Sequence, residues 1–157
     1  MSTAIVYASK HGTTAGVAHL VAQGLDGEVD LFDLSGGEPD LSAYAMVVLG
    51  TAIYVGQPIG AMKTMVNSSQ LEGPRIGLFV CGMIPDPAQR QTEIEAAYPE
   101  ALRQRAVAIA FLGGAFQFDK MSRLERFVVK RVVKVAQSTE AIDQDEIGRF
   151  TQRLNAG

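Results

Sequence analysis

Three hydroxyl side chains surround a glycine near the N-terminus. This group is the first feature of the sequence whose residue types could bind a ligand. The hydroxyls belong to Ser9, Thr13 and Thr14, and Gly12 lies between them. The apolar run before Ser9 predicts a strand, and the helical period after Gly12 predicts a helix. A loop at a helix N-terminus presents backbone N–H groups and the positive end of the helix dipole. The segment from Ser9 to Thr14 is therefore predicted to bind a phosphate, with the hydroxyls as additional donors.

Lys10 and His11 complete this loop, which differs from the two common nucleotide-binding motifs. It has neither the GxxxxGK[ST] spacing of nucleotide triphosphatases nor the GxGxxG spacing of dinucleotide folds. His11 either donates to the phosphate or is only solvated. A second interpretation also stays open, in which the turn rich in Ser and Thr merely caps the helix.

The other reactive side chains do not form a recognisable catalytic group. The sequence contains no Ser/His/Asp set, no pair of acidic residues with catalytic spacing and no cluster of metal ligands. No catalytic residue and no metal site is therefore predicted, and any chemistry is assigned to a cofactor. The single cysteine, Cys81, ends an apolar run and is predicted to be a small buried side chain rather than a redox centre. His19 is predicted to have a structural role.

A basic segment near the C-terminus is the second unusual feature. Six of the fourteen Lys and Arg residues lie between Lys120 and Lys134, although the whole chain has a net charge of −3. An amphipathic basic helix is predicted near 119–137. Its candidate substrate or partner surface consists of Lys120, Arg123, Arg126, Lys130 and Lys134. Such a face suits an anionic membrane, an acidic ligand or a partner protein, and it also occurs on ordinary helices that cover a sheet. Nucleic acid is not expected as a partner of this acidic chain.

Short apolar runs alternate with longer helical segments, and this alternation predicts the elements that position both features. Strands are expected near 3–8, 28–34, 45–51, 75–82 and 106–112. Helices are expected near 12–25, 58–70, 88–104, 122–137 and 143–155. Alternating strands and helices are typical of a parallel sheet with helices on both faces. The second strand, EVDLFDL, alternates charged and apolar residues, so it is expected at an edge of the sheet.

Five parallel strands favour the order 2-1-3-4-5, in which ligands bind where the order reverses, beside the first and third strands. The chain of 157 residues is interpreted as one α/β domain, spanning 1–157, with a real hydrophobic core. One cysteine fits a reducing compartment. Neither a signal peptide nor an apolar run long enough to span a membrane is recognised, and a cytoplasmic location is expected.

The first loop and its flanks resemble the FMN-phosphate signature of the flavodoxin family. The matching positions are Ile5, Val6, Tyr7, Ser9, Gly12, Thr14, Ala18 and Val21. This resemblance implies a flavodoxin-like three-layer fold and FMN as the cofactor, with the flavin ring near the loops after the third and fourth strands. The residues expected around the ring are Thr51, Ala52, Ile53, Tyr54, Val55, Gly56, Gly82, Met83 and Ile84. Tyr54 either stacks on the ring or is simply an exposed loop aromatic.

A strand ending in glycine and alanine, two aromatic residues and the run RFVVKRVVK follow one another between residues 113 and 134. Together with GTAIYVGQ, they resemble the menaquinone-dependent protoporphyrinogen IX dehydrogenase branch of the flavodoxin superfamily. The resemblance implies an FMN enzyme of haem synthesis that passes electrons from protoporphyrinogen to a membrane quinone. It further implies that the basic helix recruits the porphyrin or the quinone, with peripheral contact at the inner face of the membrane.

Two other functions stay open. A flavodoxin-type electron carrier would shuttle electrons between partner enzymes, and such carriers usually present an acidic surface to basic partners. A flavodoxin-like module without flavin, serving assembly, is disfavoured because the phosphate loop is complete.

Overall fold

Five parallel strands form the central sheet of the protein. The computed structural model describes residues 2–9, 12–54, 57–58, 60–82, 87–114, 141–142 and 144–156. The sheet strands are β1 (Ser2–Tyr7), β2 (Glu28–Asp33), β3 (Met46–Tyr54), β5 (Arg75–Cys81) and β6 (Ala106–Phe111). Three two-residue strands accompany them, namely β4 (Gln57–Pro58), β7 (Gly113–Gly114) and β8 (Ala141–Ile142).

Five α-helices connect or follow these strands within the described ranges. They are α1 (Thr13–Gly24), α2 (Gly60–Met65), α3 (Pro87–Ala97), α4 (Glu100–Arg105) and α5 (Gln144–Ala156). Single turns of 3-10 helix occur at Leu34–Gly36 and Ser69–Leu71. None of the helices in these ranges is long and apolar enough to cross a membrane.

The strand order is β2-β1-β3-β5-β6, and every neighbouring pair in it is parallel. Counting only these five strands, the order is 2-1-3-4-5, so the predicted topology is confirmed. The order reverses between β1 and β3, and the crevice at their carboxyl ends is where a ligand is expected in an open parallel sheet. Strand β2 lies at an edge, as its alternating pattern predicts, and its exposed and partly buried residues alternate over most of its length.

Alternate residues of each central strand enter two separate hydrophobic cores. On one face of the sheet, strand residues such as Val6, Leu49 and Leu78 pack with apolar side chains of α2, α3 and α4. On the other face, residues such as Ile5, Val48 and Phe79 pack with those of α1 and α5. Successive side chains of a strand point to opposite faces, so apolar runs produce both cores. The result is the predicted three-layer arrangement.

The helix predicted near 88–104 is wrong as a single element, because the structure divides it into α3 and α4. Pro99 occupies the N-cap position of α4 with extended backbone angles. A proline disfavours helical geometry in the residue before it and supplies no N–H group, so the chain turns at Tyr98. The helix predicted near 58–70 is also too long. Ser68 is extended and its hydroxyl accepts the Gln70 N–H, which starts a separate 3-10 turn.

Strand β3 continues beyond its predicted end near residue 51. Ile53 pairs with Pro58 and Tyr54 pairs with Gln57, so β3 and β4 form a short antiparallel ladder. The residues from Thr51 to Tyr54 are therefore strand rather than loop. β-branched and aromatic side chains favour strands, and a two-residue connection suits a hairpin. The two connecting residues, Val55 and Gly56, lie outside the described ranges.

Thr3 offers a direct test of the sheet's energetics, because its hydroxyl is buried without a hydrogen-bond partner among the described residues. Thr3→Val is expected to stabilise the protein by about 1 kcal/mol, since valine has the same shape and removes an unsatisfied polar group. Urea denaturation measures the change. Thr151→Val is the matched control: the Thr151 hydroxyl is also buried but donates to carbonyls 3.0–3.1 Å away. This control should be neutral or destabilising, and equal effects of the two substitutions would contradict the explanation.

Candidate functional site

The first loop begins at the carboxyl end of β1 and leads into α1. Ala8 donates its N–H to the Gly50 carbonyl at 3.0 Å, which ties the start of the loop to β3. Gly12 is the N-cap residue of α1 and has a φ of 85°, in the left-handed region that glycine occupies without steric cost. The Gly12 carbonyl accepts the Gly16 N–H at 2.9 Å, so the helix starts immediately after this glycine.

Ser9 organises this loop through its hydroxyl oxygen. The oxygen accepts the Gly12 N–H at 3.1 Å and lies 3.4 Å from the Ala15 nitrogen, whose N–H also points to it. A serine hydroxyl has two acceptor positions and one hydrogen to donate. Both acceptor positions serve the backbone, so the hydroxyl hydrogen is the part of Ser9 left for an anion above the loop.

Thr14 lies deeper than the sequence suggests. Its side chain is 1% exposed, and its hydroxyl is hydrogen-bonded to the thiol of Cys81 at the end of β5. Burial raises the pKa of Cys81 to about 12, and the Thr14 hydroxyl opposes this shift only in part. The thiol therefore stays protonated at neutral pH and behaves as a small buried group, as predicted. The contact also joins the first loop to the strand that precedes Gly82.

The end of β3 forms the wall of the site between β1 and β5. Thr51 and Ala52 are buried, and Ile53 is partly buried. The Thr51 hydroxyl donates to the Ala52 carbonyl at 3.3 Å. The β3–β4 ladder then carries the backbone of Tyr54 above the carboxyl edge of the sheet, while its side chain lies outside the description.

Gly82 lies at the carboxyl end of β5 in a crowded place. A Cβ atom at this position would lie 3.0 Å from Cζ of Phe111 and 3.4 Å from Oε2 of Glu93. Arg90 stacks its guanidinium 4.8 Å from the centre of the Phe111 ring. Gly82 is one of the predicted site residues, whereas Phe111, Glu93 and Arg90 were not predicted. The three-residue spacing of Arg90 and Glu93, which places both on one face of a helix, was the available signal.

Several predicted site residues lie outside the described ranges, namely Lys10, His11, Val55, Gly56, Met83 and Ile84. The same holds for the whole predicted basic surface, Lys120, Arg123, Arg126, Lys130 and Lys134. The described residues on either side of the basic segment show where its flanking strands lie. Gly113 pairs with Ile142 and Gly114 with Ala141, and this ribbon lies close to α1 and β5. The described strands that flank the basic segment therefore lie at the carboxyl edge of the sheet.

His19 lies in α1, with Nδ1 2.8 Å from the Ala15 carbonyl oxygen. The ring is exposed and bonds to its own helix. This contact agrees with the structural role predicted for it.

Comparison with known proteins gives a family and a set of similar folds. A family model described as a flavodoxin domain matches residues 4–143. Comparison with curated protein sequences finds no significant match. The oxidised Flavodoxin 2 structure from Bacillus cereus has a TM-score of 0.63 and 19% identity, covering 99% of both chains.

Two further similar structures contain FMN. A flavodoxin from Fusobacterium nucleatum bound to flavin mononucleotide has a TM-score of 0.57 and 13% identity, covering 99% of this chain and 97% of its own. A flavoprotein from Lactobacillus acidophilus NCFM in complex with FMN has a TM-score of 0.50 and 13% identity, covering 70% of this chain and 92% of its own. At these identities, the structural likeness shows the fold alone.

Proposed function

This chain belongs to the family of flavodoxin domains, and from that premise we propose that it binds FMN and acts as a redox protein. The observation that carries this proposal is the loop between β1 and α1, with its left-handed Gly12 and its Ser9 hydroxyl. FMN would supply the electron transfer. The protein's part is to bind the phosphate, orient the ring and control its access to partners.

The described residues of the loop fit a phosphate in shape and in chemistry. Gly12 has no side chain to obstruct the N-terminus of α1, where the helix dipole favours negative charge. Ser9 is fixed by its two backbone contacts, so its hydroxyl hydrogen is available without reorganisation. The Thr14 side chain stabilises the first turn of α1 through its hydrogen bond with Cys81. Thr14 would therefore bind the phosphate chiefly through its backbone N–H group.

The ring would lie over the carboxyl ends of β3 and β5. The β3–β4 ladder provides one wall, and the backbone of Gly82 at the end of β5 provides the other. The proposed ring contacts stay as the sequence predicts them, from Thr51 to Gly56 and from Gly82 to Ile84. Backbone groups and apolar side chains of this kind are typical of small-molecule sites.

The more specific form of the proposal is an oxidoreductase similar to menaquinone-dependent protoporphyrinogen IX dehydrogenase. Its support is the basic segment from Lys120 to Lys134, whose flanking strands β7 and β8 lie at the same edge of the sheet as the proposed flavin site. A basic apolar surface there would suit a porphyrin with carboxylate groups, or a quinone at the inner face of the membrane.

An electron carrier is the second candidate, and the charge distribution of the described residues favours it. Between Asp26 and Asp40 the chain has six acidic residues and no Lys or Arg. All of these carboxylates are exposed, on Asp26, Glu28, Asp30, Asp33, Glu38 and Asp40. An acidic surface of this kind would steer a basic redox partner.

An anaerobic reductive titration of the FMN-loaded protein, followed by visible absorbance, tests these proposals in order. Absence of flavin absorbance after reconstitution with FMN would contradict the cofactor assignment. Reduction in two separate one-electron stages favours the carrier, and a single two-electron stage favours the dehydrogenase. Oxidation of protoporphyrinogen with a menaquinone analogue then tests the specific activity directly.

Charge reversal in the basic segment tests its proposed role in that activity. The double substitution Arg126→Glu and Lys130→Glu is expected to lower protoporphyrinogen turnover several-fold, because it repels the substrate carboxylates, while the FMN dissociation constant stays unchanged. Reversal of Arg149 and Arg153, two basic residues of α5 that are four apart, is the matched control. Full turnover in the first variant would remove this segment from the proposal.

A further inference from the structure

Glu93 carries a carboxyl group that none of the contacts described above explains. Its Oε2 atom is shielded from solvent and has no hydrogen-bond partner among the described residues. Burial raises the pKa of this carboxyl above its usual value. An acidic oxygen in such a position is costly to keep ionised, and groups of this kind concentrate at functional sites.

The position of Glu93 relates this carboxyl to the proposed flavin site. Oε2 lies 3.4 Å from the position that a Cβ on Gly82 would occupy, so the carboxyl touches the start of the loop expected to line the ring. Phe111 closes the same space at 3.0 Å from that position. The guanidinium of Arg90, one turn earlier on α3, lies over this aromatic ring at 4.8 Å from its centre. The carboxyl therefore lies at the carboxyl end of β5, beside the first residue of the loop proposed to line the ring.

We propose that Glu93 is a redox-linked proton site, which takes up a proton when a flavin bound beside Gly82 is reduced and releases it on reoxidation. This inference rests on the proposed binding of FMN. A two-electron reductant, dithionite in the experiment below, transfers two electrons to the ring, which takes one proton and gains one negative charge. Glu93 takes a second proton from solvent, because a new negative charge nearby favours its neutral form. Two electrons and two protons are then consumed together.

Among the described residues, the other titratable groups around α3 do not compete for this role. Strands β3, β4 and β5 pack against α3, and Phe111 of β6 contacts Arg90. The titratable residues of these four strands are Tyr54, Arg75 and Cys81. None of these residue types changes charge between pH 5 and 8 when unperturbed, and burial moves the Cys81 thiol further from that range. On α3 itself, Arg90 is permanently charged, and Glu95 is exposed and accepts a hydrogen bond from Gln91.

The test measures the midpoint potential of the FMN-loaded protein from pH 5 to pH 8. In the unchanged protein, the slope of potential against pH should double only between the Glu93 pKa of the oxidised state and its higher pKa in the reduced state, because in that interval one further proton accompanies two electrons. Glu93→Gln should remove this change of slope and keep one proton per two electrons throughout. Glu95→Gln is the matched control from the exposed side of the same helix, and its profile should equal that of the unchanged protein.

The possible results distinguish a failure of the proton-site inference from a failure of the proposed FMN binding. If FMN does not bind to the unchanged protein, the cofactor assignment fails before any potential is measured. If FMN binds and Glu93→Gln keeps the change of slope, the proton belongs to another group and the inference is overturned. The carboxyl carbon of Glu93, followed by NMR in the unchanged FMN-loaded protein, needs no variant. Its pKa should be higher in the reduced state, and the same pKa in both states would also overturn the inference.

Discussion

Gly12→Asp is expected to weaken FMN binding at least tenfold, which corresponds to about 1.4 kcal/mol. Gly12 occupies the N-cap position of α1 with a φ of 85°, where a carboxylate side chain would meet the proposed phosphate. Two negative charges at the same helix N-terminus repel each other and compete for the same backbone N–H groups. Titration of the apoprotein with FMN, followed by quenching of flavin fluorescence, gives the dissociation constant.

Gly27→Asp separates the loss of binding from the cost of backbone geometry. Gly27 has a φ of 82°, nearly equal to that of Gly12. It lies at the amino end of β2, however, whereas Gly12 follows the carboxyl end of the parallel strand β1. Both substitutions place an aspartate in the left-handed region, which costs little for this residue type. Gly27→Asp should leave the FMN dissociation constant unchanged. If both variants bind FMN as the unchanged protein does, the phosphate does not lie at the N-terminus of α1.

The sheet could be predicted from the sequence because its information is local and repeated. Apolar runs such as AMVVLG have the length and composition of buried strands, and each is followed by a helical period. Right-handed connection of parallel strands then restricts the order to very few possibilities. The first loop was equally accessible, since a strand, a short polar turn with glycine and a helix are all visible in consecutive residues. The strand order is confirmed, and the described loop residues Ser9 and Gly12 lie between β1 and α1; the phosphate site itself stays a prediction.

The features that sequence reasoning missed depend on contacts between distant residues. β7 and β8 pair across the residues from 115 to 140, and neither two-residue strand has a pattern of its own. The contact between Thr14 and Cys81 joins α1 to β5, and the Glu93 carboxyl meets Gly82 from a separate helix. Pro99 is a different case, because proline disfavours helical geometry in the residue before it, and this break could have been predicted from the sequence alone.

Gly50→Ala is expected to destabilise the protein by about 3 kcal/mol, at the upper end of the usual cost of overpacking. A Cβ at Gly50 would lie 2.0 Å from Cζ of Phe79, the residue paired with it on β5. Phe79 is fully buried and packs edge-on against Phe150 of α5 at 6.0 Å between ring centres, so its ring has little room to move. Urea denaturation measures the loss, which should lower the melting temperature by several degrees in a protein of this size.

The effect of Gly50→Ala concerns the candidate site as well as the hydrophobic core. The Gly50 carbonyl accepts the Ala8 N–H, so a shift of β3 would move the residue directly before Ser9. Phe79→Leu should relieve part of the cost in the double variant, because it removes the ring atoms that the new methyl group meets. Gly148→Ala is the control: no atom lies within 4 Å of its added Cβ, and it should stabilise α5 by about 0.5–1 kcal/mol. If Gly50→Ala left the free energy of unfolding unchanged or raised it, as expected for Gly148→Ala, the close packing of Phe79 on Gly50 would be contradicted. The proposed coupling between this packing and the position of the first loop would then fail as well.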